Sequence, residues 1–249
     1  MKRTALLTGA TAGIGLATAK LLGKNGYMIL LNGIDKAQSE SAAKELESLG
    51  VEYKLCLFDV TDEQAVKNGF AEITKSVDRL DVLINGAGGL GGRSRFEGME
   101  TKFYRDVLAL NMDSVFYVTR EAIPLLKKGT NASVINFTSI AAWNAGGPGA
   151  GIYSAAKAAV LTMTRAMAKE FAEFGIRANA VSPGTIDTAF HQATKDSSPD
   201  MWNSWKNNIL MKRFGKPEEV ASVVDFLVSD AASFITGEVI QINGGQDFR

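Results

Sequence analysis

One cysteine, one histidine and no excess of either charge set the first limits on this 249-residue chain. A lone thiol, Cys56, cannot close an internal disulfide, and such scarcity fits a reducing compartment, so a cytoplasmic protein is expected. Cys56 sits in the apolar run Leu55-Cys56-Leu57-Phe58, which reads as a buried thiol rather than a nucleophile. A single His191 cannot build a histidine-based metal site, and no metal is expected. Lys+Arg and Asp+Glu each number 27, so the basic surface that binds nucleic acid is not expected either. No apolar run approaches the roughly 18 residues of a membrane span. Met1-Lys2-Arg3 and the four residues after it could open a signal peptide, but the apolar stretch is short and runs into glycines, so it reads as a first strand.

What the chain does contain is ordinary globular composition, 46% hydrophobic and 22% charged, with enough length for a full core. Strand and helix patterns alternate along it. Strands are predicted at 3–8, 27–31, 53–58, 81–84, 133–138, 177–181 and 238–242. Helices are predicted at 13–24, 36–48, 62–75, 101–127, 153–174 and 217–228. Repeated βα units imply an α/β fold, doubly wound, with a seven-stranded mostly parallel sheet and helices on both faces. With no fixed-period repeat and no Pro/Ser-rich linker, residues 1–249 read as one domain.

Ligands in such sheets bind beyond the carboxyl ends of the strands, where strand order reverses. The glycine and polar features fall there in register. Thr8-Gly9-x-x-x-Gly13-x-Gly15 follows the first strand and opens the first helix, a setting where a pyrophosphate can meet a helix N-terminus. Asp59-Val60 ends the third strand, Asn85-Gly86-Ala87-Gly88 the fourth and Ser139 the fifth, while Pro183-Gly184-Thr185-Ile186-Asp187-Thr188 follows the sixth. Taken singly, each could be turn chemistry. Fourteen residues after Ser139 comes Tyr153, with Lys157 one helical turn further. An ammonium beside a phenol lowers the phenol's pKa from about 10 towards neutrality, so Tyr153 could exchange a proton near pH 7.

Together these residues resemble the short-chain dehydrogenase/reductase family, along the whole chain from Thr8-Gly9 to Ile242-Asn243-Gly244-Gly245. The resemblance implies a Rossmann-type oxidoreductase with the tetrad Asn111, Ser139, Tyr153 and Lys157. Tyr153 would be the acid/base and Ser139 would polarise the reacting oxygen. Lys157 would lower the tyrosine pKa and hold the nicotinamide ribose, and Asn111 would order a proton-relaying water. Gly9, Thr11, Gly13, Ile14 and Gly15 would hold the pyrophosphate; Gly33, Ile34, Asp59 and Val60 would face the adenosine. Asn85, Ala87, Gly88, Pro183, Gly184, Ile186 and Thr188 would complete the dinucleotide site. Gly86 departs from the family, which commonly has a second asparagine there.

At the end of the second strand an acidic residue pairs with a free ribose diol, whereas a basic one neutralises a 2′-phosphate. Neither Ala12 nor Ile34 is basic, and Asp35 would repel a phosphate if it points inward, although Lys36 could rescue it. The usual NAD-selecting acid would align with Gly33, so that signal is missing too. NAD is the expected cofactor over NADP.

Three loops, Gly86–Arg93, Gly146–Ile152 and Thr185–His191, resemble those of the reductases of alginate breakdown. Those enzymes reduce 4-deoxy-L-erythro-5-hexoseulose uronate to 2-keto-3-deoxygluconate. That implies a small keto substrate whose carboxylate Arg93 would clamp and whose hydroxyls Asn144 or His191 would bond, under a lid at 186–213. The rival enzyme is a 3-oxoacyl-thioester reductase, which Met211-x-Arg213-Phe214-Gly215 and Ile235-Thr236-Gly237 also resemble. A dinucleotide sensor without catalysis would have a broken tetrad, and this one is complete. The resemblance also implies a homotetramer paired through the helices at 101–127 and 153–174.

Overall fold

The computed structural model describes residues 2–189 and 198–248. Seven strands form one sheet: β1 (Thr4–Thr8), β2 (Met28–Gly33), β3 (Tyr53–Leu57), β4 (Val82–Asn85), β5 (Ser133–Phe137), β6 (Arg177–Pro183) and β7 (Val239–Ile242). Their order is β3-β2-β1-β4-β5-β6-β7, and all six pairings are parallel. The expected "mostly parallel" sheet is therefore wholly parallel. Central strands covered on both faces read as unbroken apolar runs: Leu6, Leu7, Leu30, Leu31, Leu83 and Ile84 are all fully buried. Each such side chain contributes about 1.5–3 kcal/mol.

The α-helices are α1 (Gly13–Lys24), α2 (Lys36–Ser48), α3 (Glu63–Ile73), α4 (Thr101–Leu108), α5 (Ser114–Leu126), α6 (Ala141–Asn144), α7 (Gly151–Phe171), α8 (Pro199–Asn208) and α9 (Pro217–Val228). Two apolar layers lie on opposite faces of the sheet. One joins Leu6, Leu83 and Val134 to Val66, Val118 and Val160; the other joins Leu7, Ile84 and Ile135 to Leu16, Val224 and Leu227. Cys56 lies in the first layer, where burial pushes its thiol up to about 11, consistent with a structural role.

The single helix predicted over 101–127 is two helices separated by a π-helical turn at Ala109–Asp113. Such a turn inserts one extra residue and redirects the side chains within it. No residue type from Ala109 to Asp113 forbids a continuous helix, so periodicity alone could not show the break. Helix α7 starts two residues earlier than predicted and ends in a 3₁₀ turn at Ala172–Phe174. The N-terminal ends of β1, β4 and β5 converge on buried Asp81, which accepts hydrogen bonds from Thr4 N (2.8 Å) and Thr130 N (2.7 Å).

Candidate active site

Chain order makes β1 and β4 neighbours at the point where winding reverses, so the turns after them abut. The Thr8 hydroxyl accepts from Gly86 N (3.1 Å) and Ala87 N (3.2 Å), locking the two turns together. Gly9 has φ +61°, and a Cβ there would lie 2.6 Å from Ala87 Cα. A Cβ at Gly15 would lie 2.4 Å from Gly9 O. Glycine is thus required by backbone-to-backbone approach at both positions. The turn delivers α1 with no side-chain cap at its N-terminus and no acidic residue in its first turn. Its free N–H groups and positive dipole end suit an anionic pyrophosphate. Across from it, Thr188 Cγ2 would be 3.3 Å from a Cβ on Gly13. These features fit a dinucleotide.

A cleft of about 390 Å³ runs from this turn across the ends of β4, β5 and β6. Gly9, Gly13, Ile14, Gly15, Gly88, Arg93, Ser139, Tyr153, Lys157, Pro183, Gly184, Ile186 and Thr188, all anticipated from sequence, line it. Gly146, Gly147, Ala150 and Thr185, from two of the loops singled out in the sequence, line it too, as do Phe137 and Ile140, which were not anticipated. The other expected cofactor residues lie elsewhere. Val60 is buried in the apolar layer, and Asp59 turns back to accept from Thr61 N and Thr61 Oγ1, each at 2.8 Å. Asn85 is buried, donating to Thr119 Oγ1 (2.9 Å) and Asn136 Oδ1 (2.8 Å), which makes it a brace between strands and helix. Ala87 packs against the apolar layer.

At the end of β2, a Cβ on Gly33 would lie 2.5 Å from both Ser39 Oγ and Thr11 Cγ2. An acidic side chain has no room there, which explains the missing signal. Thr11 donates to Gln38 Oε1 (2.7 Å), bridging the glycine turn to α2. Asp35 caps α2, its Oδ1 accepting from Gln38 N at 2.7 Å, so its carboxylate is committed to the helix. Ile34 is 71% exposed beside it.

The tetrad residues converge from three elements. Lys157 is 3% exposed, and its Nζ donates to Phe137 O at 2.9 Å, 5.9 Å from the Tyr153 ring centre. Burial lowers the Lys157 pKa to about 8. Tyr153 departs from the sequence expectation. Burial raises its pKa above the usual 10, and the hydrogen bond with Ser139 offsets this only in part. Desolvation is the larger effect, and the phenol holds its proton. Asn111 sits in the π-helical turn, fully buried, donating to Gly89 O (2.8 Å) and Val107 O (2.9 Å) and accepting from Gly89 N (3.0 Å). Both of its amide hydrogens are taken by backbone, so the side chain pins the turn after β4. The Phe137 carbonyl had no sequence signal, because any residue supplies one.

On the substrate side, Arg93 Nη1 donates to Pro148 O at 3.0 Å, and Ser94 N to Gly149 O at 3.1 Å. These contacts bind the loop after β4 to the loop before α7 and set Arg93 on the cleft wall. Asn144 is exposed and is not among the cleft-lining residues; its Oδ1 accepts from the N–H of cleft-lining Gly146 (2.9 Å). His191 lies outside the described residues, as does part of the predicted lid. The described part of that lid contains α8, whose Trp202 ring centre is 4.0 Å from that of Phe214. Among the described residues no three His, Cys, Asp or Glu side chains gather as a metal site, and no helix is long and apolar enough to cross a membrane.

A family profile described as enoyl-(acyl carrier protein) reductase matches residues 9–247. The 3-oxoacyl-[acyl-carrier-protein] reductase of Thermotoga maritima is 37% identical over 243 residues, covering 98% of this chain and 97% of that protein. The Aquifex aeolicus reductase of the same name is 34% identical over 244 residues, covering 98% and 96%. Among solved structures, an NADH-dependent reductase responsible for alginate metabolism, A1-R′, superposes with a TM-score of 0.90 at 36% identity, covering 100% of this chain and 98% of that one. An actinorhodin polyketide ketoreductase solved with NADPH gives 0.91 at 29% identity, covering 98% and 97%. The match spans nearly the whole chain in every case, and the protein belongs to the short-chain dehydrogenase/reductase family as an NAD(P)-dependent oxidoreductase.

Proposed function

We propose that this enzyme uses NADH to reduce the carbonyl of a small keto uronate, of the kind alginate depolymerisation releases, with Tyr153 as proton donor. The observation that carries the substrate reading is Arg93 on the cleft wall, its guanidinium oriented by Pro148 O. A planar fork held this way suits a carboxylate. The 36% identity with the alginate-metabolism reductase supports the same reading. A 3-oxoacyl thioester is the second candidate, favoured by the names of the Thermotoga and Aquifex relatives.

When bound, the dinucleotide supplies the hydride. The chain's own residues handle the oxygen and the proton. Ser139 accepts from Ala141 N (3.1 Å), which orients its hydroxyl, and its hydrogen bond with Tyr153 brings two donors to one point in the cleft. Both stabilise negative charge developing on a carbonyl oxygen there. Tyr153, kept protonated by burial, gives that oxygen its proton. Lys157 stabilises the phenolate left behind. Burial lowers the Lys157 pKa to about 8, and that ionisation sets the sign. Below that pH the pair holds both protons and favours reduction. Above it one proton is lost, and the pair is a base suited to alcohol oxidation. Reduction rates measured from pH 6 to 10 should be flat and then fall above about pH 8, with oxidation rising over the same range. A reduction rate that climbs through pH 8 would remove the pair from this role.

For the cofactor, neutral residues at 12 and 34 leave nothing at those positions to balance a 2′-phosphate. Ile34→Arg should shift the NADPH/NADH ratio of kcat/KM upward by at least about tenfold; an unchanged ratio would show that selection lies elsewhere. We place the enzyme in the cytoplasm as a homotetramer paired through α4, α5 and α7.

The deciding experiment measures initial rates of NADH and NADPH oxidation with the keto uronate from exhaustive alginate lyase digestion, beside an acetoacetyl thioester. Arg93→Leu should raise KM for the uronate by about 10–100-fold and leave an uncharged ketone unaffected. A thioester rate without a uronate rate would transfer the enzyme to the second substrate class.

A further inference from the structure

The wall of the cleft at Thr185–Thr188 is held from behind by the C-terminal turn after β7. Gln246 Oε1 accepts from Thr185 N (3.0 Å) and from Thr185 Oγ1 (3.2 Å), and Gln246 Nε2 lies 3.1 Å from that same hydroxyl. The amide therefore answers both polar groups that Thr185 turns towards it. The approach is close: a Cβ on Gly184 would lie 2.7 Å from Gln246 Oε1 and 2.7 Å from Asn243 Cβ. Gly184 N also donates to Ile242 O at 2.9 Å. On the opposite side, Gly215 N donates to Thr185 O (3.0 Å) and Asp187 N to Gly215 O (2.8 Å), so the segment is clamped along both edges.

The same turn also holds the stretch that follows α8. Met211 N donates to Gly244 O at 3.2 Å, and Cβ atoms on Gly244 and Gly245 would each lie 2.9 Å from Ile209 and Leu210 atoms respectively. Gly244 (φ +61°) and Gly245 (φ +79°) adopt left-handed conformations that let the backbone turn this sharply. Residues 185 and 211 are far apart in sequence, yet both rest on residues 243–246.

We infer that Gln246 is a positioning residue for the dinucleotide site. By holding Thr185 it fixes the height of Ile186 and Thr188 above Gly13, and it ties that wall to the segment ending at Met211. This inference rests on the reading of Ile186 and Thr188 as cofactor contacts. Gln246 is not among the residues lining the cleft, so its removal should weaken cofactor binding while leaving the proton-transfer residues in place.

The test compares wild type, Gln246→Met and Gln246→Glu by NADH fluorescence titration, steady-state kinetics and thermal melting. Met keeps the length and loses the hydrogen bonds; Glu keeps acceptors for both Thr185 groups. Gln246→Met should raise the NADH dissociation constant about tenfold with kcat within about threefold, and Gln246→Glu should restore tight binding. A lowered melting temperature with unchanged NADH affinity would overturn the inference and leave a purely structural tether. Loss of affinity that Glu does not rescue would overturn it as well. Thr185→Val supplies an independent arm: combined with Gln246→Met it should weaken binding no more than Gln246→Met alone, because Gln246→Met already removes both bonds to residue 185, and strictly additive losses would count against the pair. If wild type itself bound no dinucleotide, the cofactor reading would fail before the role of Gln246 was reached.

Discussion

Tyr153→Phe should lose carbonyl reduction by about 10³-fold or more, the scale on which a positioned general acid contributes, while NADH affinity stays within about twofold. The change deletes one oxygen from a buried side chain and keeps the ring that lies 5.9 Å from Lys157 Nζ. Lys157 retains its bond to Phe137 O, and the glycine turn is untouched. Only the donor to the reacting oxygen disappears, along with the Ser139 hydrogen bond that orients it. Steady-state rates beside a fluorescence titration separate the two effects. Retained turnover would remove Tyr153 as the acid. Lost NADH binding would mean that the phenol has a structural task as well.

The second large effect is expected at Gly9→Ala. A Cβ at φ +61° is strained in itself, and here it would meet Ala87 Cα at 2.6 Å, Ala87 N at 2.8 Å and Gly86 C at 3.1 Å. All three are backbone atoms, so no side chain can swing aside. The turns after β1 and β4 would have to part, breaking the Thr8 hydroxyl's hold on Gly86 and Ala87. NADH affinity should fall at least about 100-fold and unfolding free energy by about 2–4 kcal/mol. Gly26→Ala provides the contrast. Its φ of +90° carries the same kind of strain, with nothing within 4 Å of the added carbon. That variant should melt at a lower temperature and bind NADH normally. Equal losses of affinity in the two would show that strain, not the collision with Ala87, is the cause.

The sheet and the turn after β1 were legible because their signals are local. Unbroken apolar runs such as Ala5-Leu6-Leu7 and Met28-Ile29-Leu30-Leu31 mark doubly covered strands, and glycine spacing marks the turn after β1. What sequence could not supply was the balance between opposing terms. An ammonium one turn from a phenol suggests a lowered pKa, yet burial of Tyr153 raises it, and burial depends on loops distant in the chain. Asp35 and Asn144 carry polar groups that could face a ligand; each instead satisfies a nearby backbone N–H. Val60 and Asn85 stand at strand ends in the right register, but lie in the core or brace it, and Asp59 accepts from Thr61 in its own turn. Gln246 carries no motif at all. Its part is visible only once β7 is seen to end beside Thr185.

Strand order has a further consequence for how the chain first acquires its shape during synthesis. β1, β2 and β3 emerge first and can pair only outward, leaving the other edge of β1 without a partner. That edge, made of Ala5-Leu6-Leu7-Thr8, is among the most apolar in the protein and stays open until residues 82–85 arrive. An unpaired apolar edge is where nascent chains associate wrongly. Closing it also joins Thr8 to Gly86 and Ala87, so the step that protects the newborn chain from aggregation is the step that forms the dinucleotide turn.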